Sequence, residues 1–341
     1  MKKIIITGNL GYVGMEVVKK ILETKQYEVV GIDNKYFSKS IIKKAKKNKL
    51  FNQKISDIRN LNYSILKNAY GVIHLSAISN DPIGDEFSSA TNSINKIATK
   101  KIILYAKKYN VENFIFASSC SVYGFAKSTC NEKSEVFPLT TYSKSKIYIE
   151  KVLEKVSDSK FKTTALRFAT ACGYSDNPRL DLVLNNLIMS GIVNKKIELN
   201  STGNAIRPLI DVSDMCKTII WFLQNREVCK KNFLKVNVGN TKNNIKIIDL
   251  AKMIAKKLGG VQIVLNNKND DKRSYKVSFS QLSKITKKKI VTKNINNTIN
   301  EVIRMIKKLK KDRMSSYIRL QELKRQIGLK IIDKNLIRKS K

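Results

Sequence analysis

The sequence predicts an α/β protein: a doubly wound parallel sheet with a smaller lobe interleaved with its last strands. Three observations carry that expectation. The run Ile4-Ile5-Ile6 passes directly into a glycine-spaced turn, short apolar runs alternate with helical stretches through the first half, and the alternation loosens beyond residue 172. Three consecutive isoleucines suit a strand buried on both faces. The following Gly8-Asn9-Leu10-Gly11-Tyr12-Val13-Gly14 reads as a tight turn opening a helix over Met15 to Leu22. Such a turn needs one glycine for an unusual backbone angle, one for close approach to a pyrophosphate and one for helix-on-strand packing. The anion then sits at the positive end of the helix.

The second strand, Tyr27-Glu28-Val29-Val30-Gly31-Ile32, ends in Asp33. A carboxylate about 20 residues beyond the turn is placed to accept hydrogen bonds from an adenosine ribose. It would repel the 2′-phosphate of NADP, so the expected cofactor is NAD. The turn lacks the Gly-Lys-Ser/Thr ending of an ATPase phosphate loop. Further strands follow at Gly71 to Ala77, Asn113 to Ser119 and Thr163 to Phe168, with a helical stretch over 92–108. Alternation of this kind places a ligand crevice at the carboxyl ends of the strands. Beyond residue 172 the reading is a helix over 181–191, a strand over 196–199, a helix over 214–225, a strand over Phe233–Val238 and a helix over 247–258. The segment 314–327 has the spacing of an amphipathic helix, solvated or packed rather than embedded. The expected organisation is therefore 1–171 for the dinucleotide unit, 172–306 for the substrate lobe and 307–341 for a basic helical tail.

Composition sets outer limits. A chain of 341 residues, 42% hydrophobic, can bury a full core, and no apolar run reaches the roughly 20 residues that span a bilayer. A cytoplasmic protein is expected. Five dispersed cysteines (Cys120, Cys130, Cys172, Cys216, Cys229) and one histidine, His74, predict neither a disulfide framework nor a metal site. The net charge of +39 would attract nucleic acid or an anionic membrane surface. It is spread along the whole chain as lysine more than arginine, so it reads as compositional, with peripheral membrane contact left open and nucleic-acid binding disfavoured.

Chemistry enters with Ser118-Ser119-Cys120-Ser121-Val122-Tyr123-Gly124 at the end of the fourth strand, and with Thr141-Tyr142-Ser143-Lys144-Ser145-Lys146 opening a helix. Tyr142 and Lys146 are four apart and share a helix face. A phenol titrates near pH ~10, so a neighbouring ammonium is what makes Tyr142 a usable general base.

These motifs, taken in order with Asp57-Ile58, His74-Leu75-Ser76-Ala77, Asn92, Leu166-Arg167-Phe168 and Arg207-Pro208, resemble the extended short-chain dehydrogenase/reductase family over residues 2 to 305, in particular its nucleotide-sugar epimerase and dehydratase branch. The resemblance implies a Rossmann-like fold and roles for single residues. Gly8 through Gly14, with Asn9, Leu10, Tyr12 and Val13, would cradle the pyrophosphate; Asp33 would hold the ribose, Asp57 and Ile58 the adenine. Leu75, Ala77 and Asn92 would border the middle of the cofactor, and Lys146 the nicotinamide ribose. Ser119, Tyr142 and Lys146 would be catalytic, while Ser119, Thr170, Arg179, Asn185, Arg207 and Arg273 would meet the substrate. His74 would be structural.

Departures narrow the reaction. Where many 4,6-dehydratases carry Asp-Glu this chain has Cys120 and Ser121; Thr170 stands where many 4-epimerases have asparagine, and Asp211 where many members have histidine. Cys120 falls one residue too early for the Ser-x-Cys arrangement of GDP-fucose synthases and reads as packing. The expected activity is NAD-dependent epimerisation of a UDP-linked or similar sugar at C4, through a transient 4-keto sugar. A 4-keto-sugar reductase is the alternative within enzymes, and a dinucleotide- or RNA-binding protein without turnover the alternative outside them. A homodimer built on the Tyr142 helix is also implied.

Overall fold

A computed structural model describes residues 1–37, 45, 47–228, 231–266, 273–287 and 290–339. In chain order its strands are β1 (Lys2–Thr7), β2 (Tyr27–Asp33), β3 (Phe51–Ile55), β4 (Ala69–His74), β5 (Asn113–Ser119), β6 (Phe125–Cys130) and β7 (Lys162–Phe168). They continue with β8 (Thr170–Cys172), β9 (Lys196–Leu199), β10 (Ile206–Asp211), β11 (Phe233–Val238), β12 (Asn244–Lys246), β13 (Gln262–Leu265) and β14 (Ser274–Val277). Seven of these form one all-parallel sheet in the order β11-β7-β5-β4-β1-β2-β3. The order reverses between β1 and β4, and a doubly wound sheet opens its ligand crevice at such a switch point. Register brings the strand ends together there: Thr7 pairs with Ile32 and His74, and Ser119 with Phe168.

The isoleucine run explains why β1 is central. Ile4 and Ile6 face one side, packing with Val17, Ile21 and Phe222, while Ile5 faces the other with Ile102, Phe114 and Leu153. All three are fully buried, and each such side chain contributes about 1.5–3 kcal/mol relative to exposure. β11 joins this sheet beside β7 although it lies far along the chain, so the lobe's strands and the sheet's last strand alternate in sequence. The lobe has its own core of Leu184, Ile188, Ile197, Leu250, Ile299 and Val302, and small sheets β12-β10-β8 and β13-β9. A further pair, β14 with β6, runs parallel.

Element bounds move by a residue or two from those expected. The 181–191 helix is observed as Val183–Val193, and the 214–225 helix as Val212–Gln224, because Asp211 caps it by accepting from Ser213 N at 2.8 Å. The amphipathic helix starts at Arg319, after a 3-10 segment Lys311–Tyr317, and runs Arg319–Gly328. It packs: Leu323, Ile332 and Leu336 are buried in the same cluster as Ile5 and Phe114. Among the described residues no helix is long and apolar enough to cross a membrane. Cys120, Cys130, Cys172 and Cys216 are buried free thiols, and Cys229 lies outside the described residues.

His74 closes the switch point from inside. Its Nδ1 lies 2.8 Å from Thr7 Oγ1 and its Nε2 3.0 Å from Thr99 Oγ1. Thr99 Oγ1 donates to Ile94 O, which leaves it accepting from a protonated Nε2 and leaves Nδ1 accepting from Thr7. Burial, reinforced by the nearby Lys146 ammonium, lowers the His74 pKa to about 3. The unfolded chain binds this proton near pH 6.5 and the folded one does not, so stability falls as pH drops from about 6.5 towards 3. At pH 5 that cost is about 2 kcal/mol. His74→Gln is expected to remove it, seen as a shallower acid limb in denaturant titrations at pH 7 and pH 5. Parallel limbs for the two proteins would refute the assignment.

Candidate active site

The carboxyl ends of the strands open into a cavity of about 1080 Å³ running from Asp33 and Asp57 at one end to Arg207 and Arg273 at the other. At its floor is the glycine turn. Gly8 has φ +73°, and a Cβ there would lie 2.7 Å from Ser76 N; a Cβ on Gly14 would overlap the Gly8 carbonyl oxygen. These two positions therefore require glycine sterically. Asp33 ties the turn to β2, accepting from Leu10 N at 3.1 Å and Lys35 N at 2.7 Å. Burial raises its pKa against those two hydrogen bonds.

The turn is also clasped from the lobe. Tyr12 donates to Gly173 O at 2.8 Å, Ser175 Oγ to Tyr12 O at 2.7 Å, and Asn177 Nδ2 to Leu10 O at 2.7 Å. At the adenosine end Asp57 and Ile58 line the cavity, and the Asp57 carboxylate is held by Arg59 at 2.6 Å and by the Tyr36 hydroxyl at 3.3 Å. Leu75, Ala77 and Val13 line its middle.

Tyr142 sits in the first turn of the Thr141–Val156 helix, whose start is set by a capping box between Thr140 and Ser143. Two carboxylates brace that start: Asp81 accepts from Thr140 Oγ1 at 2.6 Å and Asp85 from Thr141 N at 2.9 Å. Ser119 ends β5, its Oγ accepts from Ser121 N at 3.1 Å, and it lowers the pKa of the Tyr142 hydroxyl against the effect of burial. Lys146, one turn on, donates to Ala117 O at 2.7 Å and lies 5.1 Å from the Tyr142 ring centre. Burial pushes Lys146 down to about 7, with Glu150 opposing. Burial also pushes the Tyr142 hydroxyl up, Asp81 adding to this while Ser119 and Arg179 oppose. The ammonium expected to favour the phenolate is thus spent on a backbone carbonyl, and the phenol of the cofactor-free protein stays protonated.

On the substrate side Thr170, Arg179, Arg207 and Arg273 all line the cavity. Arg179 is paired with Asp181 at 2.6 Å and donates to Ser79 Oγ at 3.0 Å; Arg273 is paired with Asp81 at 2.7 Å. The Arg207 guanidinium lies 5.7 Å from the Tyr275 ring centre and donates to the Arg273 carbonyl.

Four expected site residues do not line the cavity. Asn9 is buried with its amide spent on Gln53, and Leu10 is buried in the core, so both shape the turn through their backbone. Asn185 is spent on Gly173 N and the Arg179 carbonyl. Asn92 is likewise set back, and among the described residues its buried Oδ1 has no partner. The asparagine that holds the strand-end loop is Asn95, in a π-helical turn Ser93–Ala98: its carboxamide brackets Ile78 N at 2.8 Å and Ile78 O at 2.9 Å.

Lining residues outside the expected set include Tyr36, Phe37, Asp81, Tyr275 and Arg319. Only Asp81 had a local signal, since Asn80-Asp81-Pro82 is a helix start, with Asn80 capping Ile83 N and proline just inside.

Comparison with known proteins decides the family. The model of the NAD dependent epimerase/dehydratase family matches residues 4–239, more than half of the chain. The chain belongs to that family. Within the extended short-chain dehydrogenase/reductases, it is similar to the uncharacterized UDP-glucose epimerase YtcB of Bacillus subtilis, 26% identical over 266 residues, 74% of this chain and 82% of that protein. Two solved structures share the fold. They are the UDP-glucuronic acid 4-epimerase of Bacillus cereus in complex with UDP-glucuronic acid and NAD (TM-score 0.79, 22% identity, 90% of this chain and 100% of the other) and TunA, an NAD-dependent NDP-hexosamine 5,6-dehydratase (TM-score 0.79, 16% identity, 92% and 100%). As an epimerase/dehydratase family member the chain uses NAD, and the steric requirement for glycine at 8 and 14 beside the Asp33 carboxylate fits that cofactor.

Proposed function

We propose that this family member is an NAD-dependent epimerase of a UDP-linked or similar nucleotide sugar, acting at C4. The observation that carries the reading is the convergence of Ser119, Tyr142 and Lys146 in one cavity whose far end holds Arg207 and Arg273. In this reading Gly8 to Gly14, with Asp33, Asp57 and Ile58, hold the dinucleotide, and Arg207 and Arg273 bind the diphosphate of the sugar. Two guanidinium groups suit two phosphates. Bound NAD supplies the hydride acceptor and, after the sugar has turned, the hydride donor. The Tyr142 oxygen takes the proton of the C4 hydroxyl and returns one to the 4-keto oxygen. Ser119 Oγ hydrogen-bonds the same oxygen, and Lys146 orients the ribose beside it.

The residues after Ser119 support epimerisation over elimination. Cys120 is fully buried, donates to Arg167 O, and burial pushes its thiol pKa well up, so it is a packing residue and no acid for removing water. The test is incubation of the purified protein, with its co-purified NAD and no added cofactor, with UDP-glucose, UDP-glucuronic acid and UDP-N-acetylglucosamine. Formation of a C4 epimer of equal mass is expected. Turnover only with stoichiometric added NADH would make it a reductase, and a product lighter by one water a dehydratase.

A further inference from the structure

Arg319 opens the helix of the C-terminal tail, more than 140 residues beyond the parts of the lobe it touches, and is 3% exposed. Its Nη2 donates to Asn177 Oδ1 at 3.1 Å, Pro178 O at 3.3 Å and Asn177 O at 3.5 Å, and its Nη1 to Phe37 O at 3.5 Å. The guanidinium carbon lies 4.5 Å from the Phe37 ring centre. Among the described residues no carboxylate forms an ion pair with it, and its Nε donates no hydrogen bond. Every other partner is neutral and most are long.

A guanidinium withdrawn from water without an ion-paired carboxylate is costly. Burial, with Arg179 adding to it, pushes the Arg319 pKa down to about 9 even though Asp181, Asp33 and Glu322, near but not ion-paired with it, oppose the shift. The same side chain lines the cavity beside the glycine turn and Asp33. The link to the turn is one residue long: Arg319 holds Asn177, and Asn177 holds the Leu10 carbonyl. The tail is fixed over this end of the cavity by further bonds, Gln326 Nε2 to Tyr36 O at 2.6 Å and Arg338 to the carbonyls of Asn34 and Lys35.

We infer that Arg319 is a cofactor-binding residue whose missing counter-ion is the pyrophosphate of the bound dinucleotide, so that the C-terminal tail completes the adenosine-diphosphate half of the site. Nε and Nη1 are the donors left for the phosphate oxygens. The glycine turn and helix N-terminus contribute only backbone N–H groups to that anion, and Arg319 adds the full charge. The inference rests on the dinucleotide being held at the glycine turn, and is independent of which sugar reaction follows.

Titration of the cofactor-free protein with ADP, adenosine and UDP by calorimetry tests it. Arg319→Gln keeps a donor for Asn177 and removes the charge. It is expected to weaken ADP and NAD about 10- to 100-fold, the range of one charged hydrogen bond, and to leave adenosine and UDP within twofold. It should also fold at least as stably as the parent without ligand, since it removes an unpaired buried charge, while its thermal stabilisation by NAD shrinks. ADP affinity unchanged, or adenosine falling in step with ADP, would overturn the inference, the second by making Arg319 structural. Weakening of UDP in place of ADP would assign the counter-ion to the substrate diphosphate and overturn it too. Should Arg319→Gln fail to fold, Arg319→Met removes the charge and keeps an apolar stem over Phe37, and is expected to weaken ADP by the same 10- to 100-fold with adenosine within twofold; unchanged ADP affinity in that variant refutes the inference.

Discussion

Replacing Tyr142 with phenylalanine is expected to lower kcat by about 10²–10⁴-fold, the contribution of a positioned proton-transfer group, while NAD stays bound. The ring is kept, so its packing beside Gly84, where a Cβ would stand 3.3 Å from Tyr142 Cβ, is preserved. Only the hydroxyl that meets Ser119 is lost. Because burial holds that hydroxyl protonated in the free protein, its work as a base requires the bound state. The measurement is kcat for the sugar substrate beside calorimetric NAD affinity. Undiminished kcat would remove Tyr142 from the chemistry, and a parallel loss of NAD affinity would make it a binding residue.

Replacing Arg167 with methionine is expected to cost about 3–5 kcal/mol of stability, the range for removing one partner of a buried ion pair. Arg167 is the penultimate residue of β7 and Glu150 lies two turns beyond Tyr142 on its helix. Their atoms meet at 2.6 Å, with a second bond from Nε at 3.0 Å, both side chains being nearly inaccessible. Ser118 Oγ donates to the same carboxylate at 2.5 Å, and Arg167 Nη1 donates to Tyr123 OH at 3.1 Å. This network fixes the helix that carries Tyr142 and Lys146 against the ends of β5 and β7. Without Arg167 the carboxylate would remain buried and uncompensated. Arg167→Met combined with Glu150→Leu should recover a large share of the loss, because a well-packed apolar pair replaces a buried ionic one at little cost. Denaturant midpoints of the three proteins decide the matter: a single variant within 1 kcal/mol of the parent, or a double variant no better than the single, would contradict it.

Short-range features were legible without a structure. The spacing of Gly8, Gly11 and Gly14 is local, since the turn spans seven residues and a Cβ on Gly14 would meet the Gly8 oxygen inside it, whereas a Cβ on Gly8 would meet Ser76 N just past the end of β4, which only the fold brings near. Tyr142 and Lys146 are related by one helical turn, and Ser119 follows an unmistakable apolar strand. The family resemblance implied a structural His74, and the side chain is buried between Thr7 and Thr99. Asn92 does not line the cavity, while Asn95, three residues on, holds Ile78 N and O, a pairing that only the fold reveals.

The amino-acid sequence by itself determined the parallel sheet, the dinucleotide turn and the residues at the ends of β1, β2 and β5, because each is set by spacing within a few residues. Only the tertiary structure decided where charge is compensated. It spent Lys146 on Ala117 O, matched Arg167 with Glu150 and Arg273 with Asp81, and buried Arg319 of a basic tail above Phe37 with no ion-paired carboxylate among the described residues. In a chain of net charge +39 any lysine or arginine looks alike in sequence. Desolvation and distance, which distinguish a solvated cation from one awaiting an anion, exist only after the chain has folded.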